Sequence, residues 1–341
     1  MSAPQSRFVL IVDPVLGCNL KCPSCPVANR PYSRPVKSVL TVERLAQILD
    51  KLIREVDGMK INTWLYNWTE PFLHPHLDEL VRLVKNKTGY VGLSSNLNIR
   101  KTDVLERTLL AQPSGIKISV SGFTQEIYGR SHVGGDIDLV KANMRRISDF
   151  MRANGLTETK IWVGYHVYND NGGVEYLRMR DFCEELGFAM DPYLAFLSPL
   201  EWSVEIAEGR ADVAEKLADV VTRLPLGPTD VMQMMKARLP YDRACSWQKD
   251  MIALDADGNV DLCCRTFEQH LDANFLETSL EEIKDKQNRH FFCNRCRAVR
   301  GHQFDRFTTP PVIKSYQDDV LCKALGIEDA SDCPVDKSAA G

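Results

Sequence analysis

The feature that most restricts the folds open to this sequence is a regular alternation of apolar runs and amphipathic segments over residues 1–200. Apolar runs bounded by polar or glycine residues are typical of buried strands. The runs that we identify are Arg7–Val12, Ile61–Tyr66, Tyr90–Ser95, Ile116–Val120, Lys160–Tyr168 and Ala189–Phe196. The segments between them place apolar residues at helical spacing, as Leu45, Leu49 and Leu52 do after Thr41. Strands that alternate with helices predict an α/β fold with parallel strands and right-handed crossovers.

The number of strand–helix units decides the kind of barrel. Six units are too few for a closed eight-stranded barrel, so we expect a partial (β/α)6 TIM-like barrel that is open at one side. Beyond Phe196 the alternation is lost, and a short hairpin is predicted around Asp257-Gly258. The predicted division is a barrel over 1–200, a helical linker over 201–244, a cysteine-rich domain over 245–330 and a frayed tail over 331–341.

Composition limits the compartment and the classes of partner. The chain has 341 residues, of which 44% are hydrophobic and 26% charged, as in ordinary globular proteins. A net charge of -4 without a basic block gives no reason to expect nucleic acid. No apolar run approaches the ~20 residues that span a bilayer, and Phe8–Val12 is too short for a signal-peptide core. We therefore expect a cytoplasmic protein whose 11 cysteines are metal ligands rather than disulfide partners.

Three of these cysteines follow the first predicted strand at C-x3-C-x2-C spacing. They are Cys18, Cys22 and Cys25. The C-terminal ends of strands are where α/β folds place their sites. A four-iron cluster normally takes four thiolates, so a set of three leaves one iron open to a ligand from outside the protein. The alternatives are a zinc knuckle, for which no fourth ligand is evident nearby, and a disulfide framework.

A second set of cysteines lies in the C-terminal region. Its members are Cys245, Cys263, Cys293 and Cys296. Cys263 follows Gly258 at G-x4-C spacing, and the last two form C-x2-C. A hairpin with cysteines near its ends and a later C-x2-C bring four thiols together, which predicts a closed site for either an iron–sulfur cluster or zinc. Cys264 could replace its neighbour as a ligand, and Cys183 is expected in the core.

The N-terminal motif resembles the signature of the radical S-adenosylmethionine (radical SAM) superfamily. The stretch Asn67–Pro71 is similar to that family's GGEP motif through Glu70 and Pro71, although Trp68 and Thr69 stand in place of the two glycines. The resemblance implies that the first three cysteines hold a [4Fe–4S] cluster whose open iron binds S-adenosylmethionine (SAM). It implies reductive cleavage of SAM to a 5′-deoxyadenosyl radical that abstracts hydrogen from a substrate. A flavodoxin- or ferredoxin-type protein would donate the electron.

The same resemblance implies which polar residues bind SAM. Glu70 would hold the amino group of the cofactor. The ribose and carboxylate would be contacted by polar residues at or beyond the ends of two strands, which are Ser95, Asn96, Ser119, Ser121 and Arg130. Capping of the strand ends is the alternative role for the serines, and a solvent-facing loop position is the alternative for Glu70.

The second cysteine set resembles the SPASM/Twitch extension of radical SAM enzymes. Because His302 stands where a full SPASM domain has a further cysteine, we expect the shorter Twitch form, with one auxiliary [4Fe–4S] cluster that accepts an electron. No leader-peptide recognition domain is apparent, so we expect a dehydrogenase or epimerase of a small polar substrate: a sugar, aminocyclitol or nucleotide-linked glycan. The alternatives are a peptide-modifying maturase and a non-catalytic iron–sulfur or zinc protein.

Three residues are candidates for catalysis in the substrate pocket. His166 lies on the fifth strand between Tyr165 and Tyr168, where polar side chains would point into the barrel and His166 could act as a base. Arg265 follows the cysteine pair of the hairpin, and Asp255 on the same hairpin is a possible proton acceptor. A hydrogen-bonded core histidine and a turn-flanking aspartate are the competing structural roles.

Overall fold

The computed structural model describes residues 7–29, 39–303, 311–327 and 333. Within these residues nine strands form one sheet in the order β6-β5-β4-β3-β2-β1-β7-β8-β9. The strands are β1 Arg7–Val12, β2 Lys60–Trp64, β3 Tyr90–Ser95, β4 Gly115–Val120, β5 Lys160–Val167, β6 Ala189–Leu194, β7 Met251–Leu254, β8 Asn259–Asp261 and β9 His270–Asn274. The first six are parallel neighbours. The predicted α/β fold with six parallel strands of a partial barrel is confirmed.

Helices connect successive strands and cover one face of the sheet. They are α1 Pro26–Asn29, α2 Val42–Glu55, α3 Leu77–Thr88, α4 Asp103–Leu110, α5 Gln125–Ser131, α6 Ile137–Ala153, α7 Val174–Leu186, α8 Leu200–Ala207, α9 Ala211–Lys216, α10 Ala218–Val221, α11 Pro228–Arg238, α12 Ser246–Lys249, α13 Leu280–Arg289, α14 Phe291–Ala298 and α15 Pro311–Leu325. Two short 3₁₀ helices span Pro71–Leu73 and Gly301–Gln303. None of the helices in the described ranges is long and apolar enough to cross a membrane.

The cysteine-rich hairpin continues the barrel sheet. Strand β7 pairs in parallel with β1, from Val9 opposite Met251 to Val12 opposite Leu254. Strands β8 and β9 then add antiparallel partners. Because β1 lies between β2 and β7, the strand that leads to Cys18 has the hairpin as its direct neighbour. The domain boundaries drawn from the sequence stay a prediction.

The alternation of side chains along β1 divides the core into two parts. Phe8, Leu10 and Val12 join the large cluster that the helices build on one face of the sheet. Helix α2 contributes its fully buried leucines to the same cluster, and Thr41 caps its N-terminus by accepting the amide of Arg44 at 3.1 Å. Ile11 points to the opposite face and joins a smaller cluster on the inner side of the barrel.

Two strand glycines make room for tryptophans on this sheet. A Cβ atom at Gly92 would lie 2.3 Å from the ring of Trp64 on the neighbouring strand. A Cβ atom at Gly115 would lie 2.5 Å from the ring of Trp162. Such approaches are far below van der Waals contact, so both positions require glycine for the tryptophans to pack as they do.

The C-terminal cysteines correct one expectation. We expected no disulfide, but Cys322 on α15 is disulfide-bonded to Cys333. The bond is possible because the two Cα atoms lie 5.6 Å apart, although 11 positions separate the residues in sequence. Apart from Cys333, the predicted tail at 331–341 lies outside the described residues. Cys183 is buried in the core, as expected.

Candidate functional site

The first site is the loop that follows β1 and carries the N-terminal cysteines. Its backbone is held at two points: the amide of Lys21 donates to the carbonyl of Val133 at 2.8 Å, and the amide of Cys25 donates to the carbonyl of Cys22 at 3.0 Å. Burial, together with the neighbouring thiols of Cys25 and Cys18, raises the pKa of the Cys22 thiol to about 12. The three thiols are therefore close enough to repel one another as thiolates, a cost that a bound cation offsets.

Asp13, which directly follows β1, organises the loop after β2. Its Oδ1 atom accepts the backbone amides of Asn67 at 2.8 Å and Thr69 at 3.2 Å, and the hydroxyl of Thr69 at 2.8 Å. The amide of Trp68 donates to both carboxylate oxygens at 3.1 Å. Burial raises the pKa of Asp13 to about 6 against these hydrogen bonds. A carboxylate directly after a strand was the available signal.

Glu70 is buried at the meeting point of three elements. Its backbone amide donates to the carbonyl of Gly17 at 3.1 Å, which joins this loop to the cysteine loop. Its carboxylate accepts the Ser95 hydroxyl at 2.8 Å, the Asn96 amide at 2.8 Å and the Phe72 amide at 3.2 Å. Burial raises the pKa of Glu70 to about 7, although these hydrogen bonds oppose the shift. A solvent-facing position for Glu70 is thereby excluded.

Asn96 connects Glu70 to the cysteines. Its side-chain amide lies 3.4 Å from Cys18 Sγ and donates to Asn19 Oδ1 at 3.0 Å. The sequence-predicted Glu70, Ser95 and Asn96 thus lie together beside Cys18 at the C-terminal ends of β1, β2 and β3. This group can bind a cation or an amine next to the thiols, because the carboxylate and amide oxygens are acceptors.

The remaining predicted SAM contacts have other partners. Ser119 Oγ lies 3.3 Å from Ser94 Oγ, within the inner face of the sheet. Ser121 is fully buried and hydrogen-bonds His132 Nδ1 at 2.8 Å. Arg130 forms ion pairs with Glu126 and Asp170, and its contact with a cofactor carboxylate stays a prediction.

The aromatic residues of β5 point in two directions. His166 stacks on His132 with ring centroids 6.2 Å apart and meets the edge of Tyr193 at 4.8 Å. Tyr165 is instead buried in the helix-side core, so our expectation that it points into the barrel is wrong. The reason is the alternation of neighbours along a strand. Tyr168, beyond the strand end, bonds Ser24 of the cysteine loop.

The second site is a cavity that lies beside α12 and α14 and next to the end of β8. All four predicted auxiliary cysteines line it: Cys245, Cys263, Cys293 and Cys296. The Cys293 sulfur accepts a hydrogen bond from Gln248 Nε2 at 3.0 Å. The Cys264 thiol donates to Cys263 and lowers the pKa of that thiol. The cysteines near the hairpin and those of the C-x2-C motif thus line the same cavity, as the sequence predicted.

Buried polar atoms without partners face this cavity. The lining residues Trp247 and Arg297 have buried N–H donors that no described group satisfies. An unsatisfied buried donor costs roughly 1–3 kcal/mol, so a group that accepts hydrogen bonds fits the cavity. The sulfur atoms of an iron–sulfur cluster are such acceptors. Taken over the described residues, no three His, Cys, Asp or Glu side chains converge closely enough to hold a single metal ion.

The two remaining catalytic candidates lie around the hairpin. Arg265 lines the cavity and donates to the carbonyl of Gly301 at 3.1 Å. Asp255 accepts the amides of Asp257 and Asn259, each at 2.9 Å, and so stabilises the turn of the hairpin. This is the structural role that competes with proton transfer by Asp255.

A tryptophan joins the two sites. Trp68 stands where the related motif has a glycine, and its indole nitrogen donates to the carbonyl of Thr266 at 3.1 Å. The Trp68 ring also meets the edge of Phe267 with centroids 5.8 Å apart. The loop that Asp13 and Glu70 hold therefore contacts the segment directly after Cys263. This contact explains how the departure from the glycine motif is accommodated.

Comparison with known proteins finds solved structures whose folds are similar to that of this chain. No protein of curated function matches the chain in sequence. Among solved structures, anSMEcpe with bound AdoMet has a TM-score of 0.53 at 15% identity, covering 93% of this chain and 85% of that one. Streptococcus suis SuiB bound to precursor peptide SuiA has a TM-score of 0.52 at 14% identity, covering 86% of this chain and 67% of SuiB. BtrN in complex with AdoMet and 2-DOIA has a TM-score of 0.47 at 12% identity, covering 88% of each.

The likeness to anSMEcpe and SuiB establishes a shared fold. In addition, a family model described as the radical SAM superfamily matches residues 12–178. That range begins at the end of β1, includes the three N-terminal cysteines and Glu70, and ends within α7. The chain therefore contains a radical SAM superfamily domain, formed by residues 12–178.

Proposed function

We propose that the chain is a radical SAM oxidoreductase of a small polar substrate, such as a sugar, an aminocyclitol or a nucleotide-linked glycan. When bound, a [4Fe–4S] cluster and SAM supply the reductive cleavage whose 5′-deoxyadenosyl radical abstracts hydrogen from that substrate. The observation that carries the oxidoreductase assignment is the cavity lined by four thiols, two from α14 and two from the segments that flank the hairpin whose first strand, β7, pairs with β1. A site closed by four thiolates is suited to a cluster that only transfers electrons.

The N-terminal site supplies ligands and a seat for the cofactor. Cys18, Cys22 and Cys25 would hold the first cluster. Glu70, positioned by Ser95 and Asn96, would bind the amino group of SAM. Because burial raises the pKa of Glu70 to about 7, its carboxyl is partly protonated at neutral pH, and a bound ammonium group would favour the ionised form.

The C-terminal site would hold an auxiliary [4Fe–4S] cluster through Cys245, Cys263, Cys293 and Cys296. Zinc draws four thiolates to ~2.3 Å, whereas no three His, Cys, Asp or Glu side chains of the described residues converge closely enough to hold a single metal ion. His166 and Arg265 stay candidates for contact with the substrate. A flavodoxin- or ferredoxin-type protein stays the proposed electron donor. We retain the cytoplasm as the proposed compartment.

A peptide-modifying maturase is the second candidate. It is favoured by the fold shared with SuiB, whose structure was solved with its precursor peptide SuiA bound. This chain spans 67% of the length of SuiB. The two candidates differ in the molecule from which hydrogen is taken, so labelled substrates separate them.

The number of irons tests the two-cluster proposal. After anaerobic reconstitution with iron and sulfide, we expect about eight irons per chain, because each [4Fe–4S] cluster holds four. Replacing Cys263 and Cys296 with alanine should lower the count to about four. A wild-type count of about four that these replacements leave unchanged would refute the auxiliary cluster.

Isotope transfer tests the substrate class. Deuterated sugars and aminocyclitols are incubated with reconstituted protein, SAM and reductant, and deuterium in 5′-deoxyadenosine is measured by mass spectrometry. We expect transfer from a member of this group and none with a Cys18→Ala variant. Transfer only from a deuterated peptide would replace the first candidate with the second.

A further inference from the structure

Arg297 is a buried cation beside the four thiols. It follows Cys296 on α14, is 6% exposed and lines the cavity. Its Nε and Nη1 atoms have no hydrogen-bond partner among the described residues. A guanidinium stays protonated at any pH a protein tolerates, so its charge requires compensation rather than loss of a proton. An anionic, hydrogen-bond-accepting occupant of the cavity provides that compensation.

The third nitrogen of Arg297 positions a further donor. Arg297 Nη2 donates to Gln248 Oε1 at 2.7 Å. This contact fixes which way the amide faces, since its oxygen is engaged by the guanidinium. Gln248 Nε2 then donates to Cys293 Sγ at 3.0 Å and to the carbonyl of Gln287 at 3.1 Å, which favours the same orientation of the amide. Arg297 therefore acts on the thiols both through its own charge and through the orientation of Gln248.

The other charged groups near the thiols have partners of their own. Lys284 donates to the carbonyls of Gln248 and Met251. Arg265 donates to the carbonyl of Gly301. The buried carboxylate of Glu201, which is near Cys263, accepts the amides of Phe267 and Glu268 at Oε1, whereas its Oε2 has no partner among the described residues. In contrast, the indole nitrogen of Trp247 is buried and has no hydrogen-bond partner in the described part of the chain, as is the case for Nε of Arg297.

We propose that Arg297, together with the Trp247 indole, contacts the auxiliary cluster and raises its reduction potential. The inference rests on the proposed function, since it requires that cluster. Reduction adds one negative charge to a cluster, and a nearby cation and N–H donors stabilise the reduced form more than the oxidised form. Arg297 thus increases the affinity of the auxiliary cluster for an electron.

The test is an anaerobic redox titration of reconstituted full-length protein, followed by electron paramagnetic resonance. A background with Cys18, Cys22 and Cys25 replaced by alanine isolates the auxiliary cluster. In that background we compare Arg297→Met, which removes the charge, Arg297→Lys, which retains it, and Trp247→Phe, which removes only the N–H. Arg295→Met is the matched control, because Arg295 lies on the same helix but is paired with Glu208 at 2.6 Å.

We expect Arg297→Met to lower the ratio of reduced to oxidised cluster at least tenfold at a fixed potential, which is ~59 mV for one electron. Arg297→Lys and Trp247→Phe should give smaller decreases, and Arg295→Met should leave the ratio unchanged. If Arg297→Met does not assemble a cluster, the other two variants decide.

Two results overturn the inference in distinguishable ways. If the reduction potential is unchanged or higher in the Arg297 and Trp247 variants, the role of Arg297 is refuted, but the auxiliary cluster is not. The same holds if Arg295→Met lowers the potential as much as Arg297→Met does. A wild-type chain that binds only about four irons, unaffected by replacing Cys263 and Cys296, refutes the proposed function itself.

Discussion

Glu70 shows how one side chain can join three strand ends. Its carboxylate accepts hydrogen bonds from Ser95, the last residue of β3, and from Asn96, which follows that strand. Its backbone amide donates to the carbonyl of Gly17, directly before the first cysteine. The predicted contact of Glu70 with a cofactor comes from the resemblance of Glu70-Pro71 to the radical SAM motif, and it stays a prediction. That Ser95 and Asn96 bind this carboxylate was not predictable, because the contact joins residues 25 and 26 positions apart.

Replacing Glu70 with glutamine tests this arrangement. The amide retains the shape but loses the charge, and it brings a donor group toward the donors of Ser95 and Asn96. A hydrogen bond to a charged group contributes ~1.5–3 kcal/mol, so we expect SAM binding to weaken by about tenfold or more. Calorimetric titration of the reconstituted protein measures this. Glu79→Gln, on the exposed side of α3, should bind SAM as the wild type does, and equal affinity in Glu70→Gln would contradict the assignment.

Asp13 predicts a pH dependence of stability. Burial raises its pKa from 3.8 to about 6, so the neutral form is favoured in the folded protein. Its contribution is complete below about pH 4 and is lost as the pH rises through about 6. The free energy of unfolding of the metal-free wild type, relative to Asp13→Asn, should fall by up to about 3 kcal/mol over this range. Denaturant unfolding measures the difference, and a constant or rising difference would show that Asp13 does not titrate in this way.

At the scale of elements, the pairing of β2 with β3 depends on a glycine opposite a large ring. Gly92→Ala would place a methyl group 2.3 Å from the Trp64 ring. We expect a loss of about 3 kcal/mol in the free energy of unfolding, at the upper end for overpacking. Gly129→Ala, in helix α5, should change stability by less than about 1 kcal/mol.

A double variant shows whether Trp64 is the cause. In Gly92→Ala with Trp64→Leu, the added methyl group no longer meets the ring, so the loss should be smaller than the sum of the single losses. Chemical denaturation of the four proteins gives the coupling. Additive losses would mean that Gly92 is required for another reason.

The six barrel strands were predictable because each is a compact apolar run with clear ends, whereas β9, His270–Asn274, is mostly polar and was not predicted. Arg7–Val12 and Tyr90–Ser95 have the same bounds in sequence and structure. Helix α14 was not foreseen, since Phe291–Ala298 has only eight residues and its apolar positions are few. The cavity donors were also missed: Arg297 and Trp247 gain their meaning from burial next to thiols that are distant in sequence.

At the scale of the molecule, both sets of cysteines lie in segments that are connected to one sheet. Strand β1 leads to the N-terminal cysteine loop, and its neighbour β7 begins the hairpin of the second site. Trp68 joins the loop after β2 to the carbonyl of Thr266.

The central claim is that the N-terminal site cleaves SAM by one-electron reduction. The most direct measurement is the formation of 5′-deoxyadenosine by anaerobically reconstituted protein with SAM and a strong reductant. We predict that the wild type and the Cys263→Ala/Cys296→Ala variant form it, because their N-terminal cysteines are intact, and that Cys18→Ala does not. Wild-type formation no greater than that of Cys18→Ala would contradict the account.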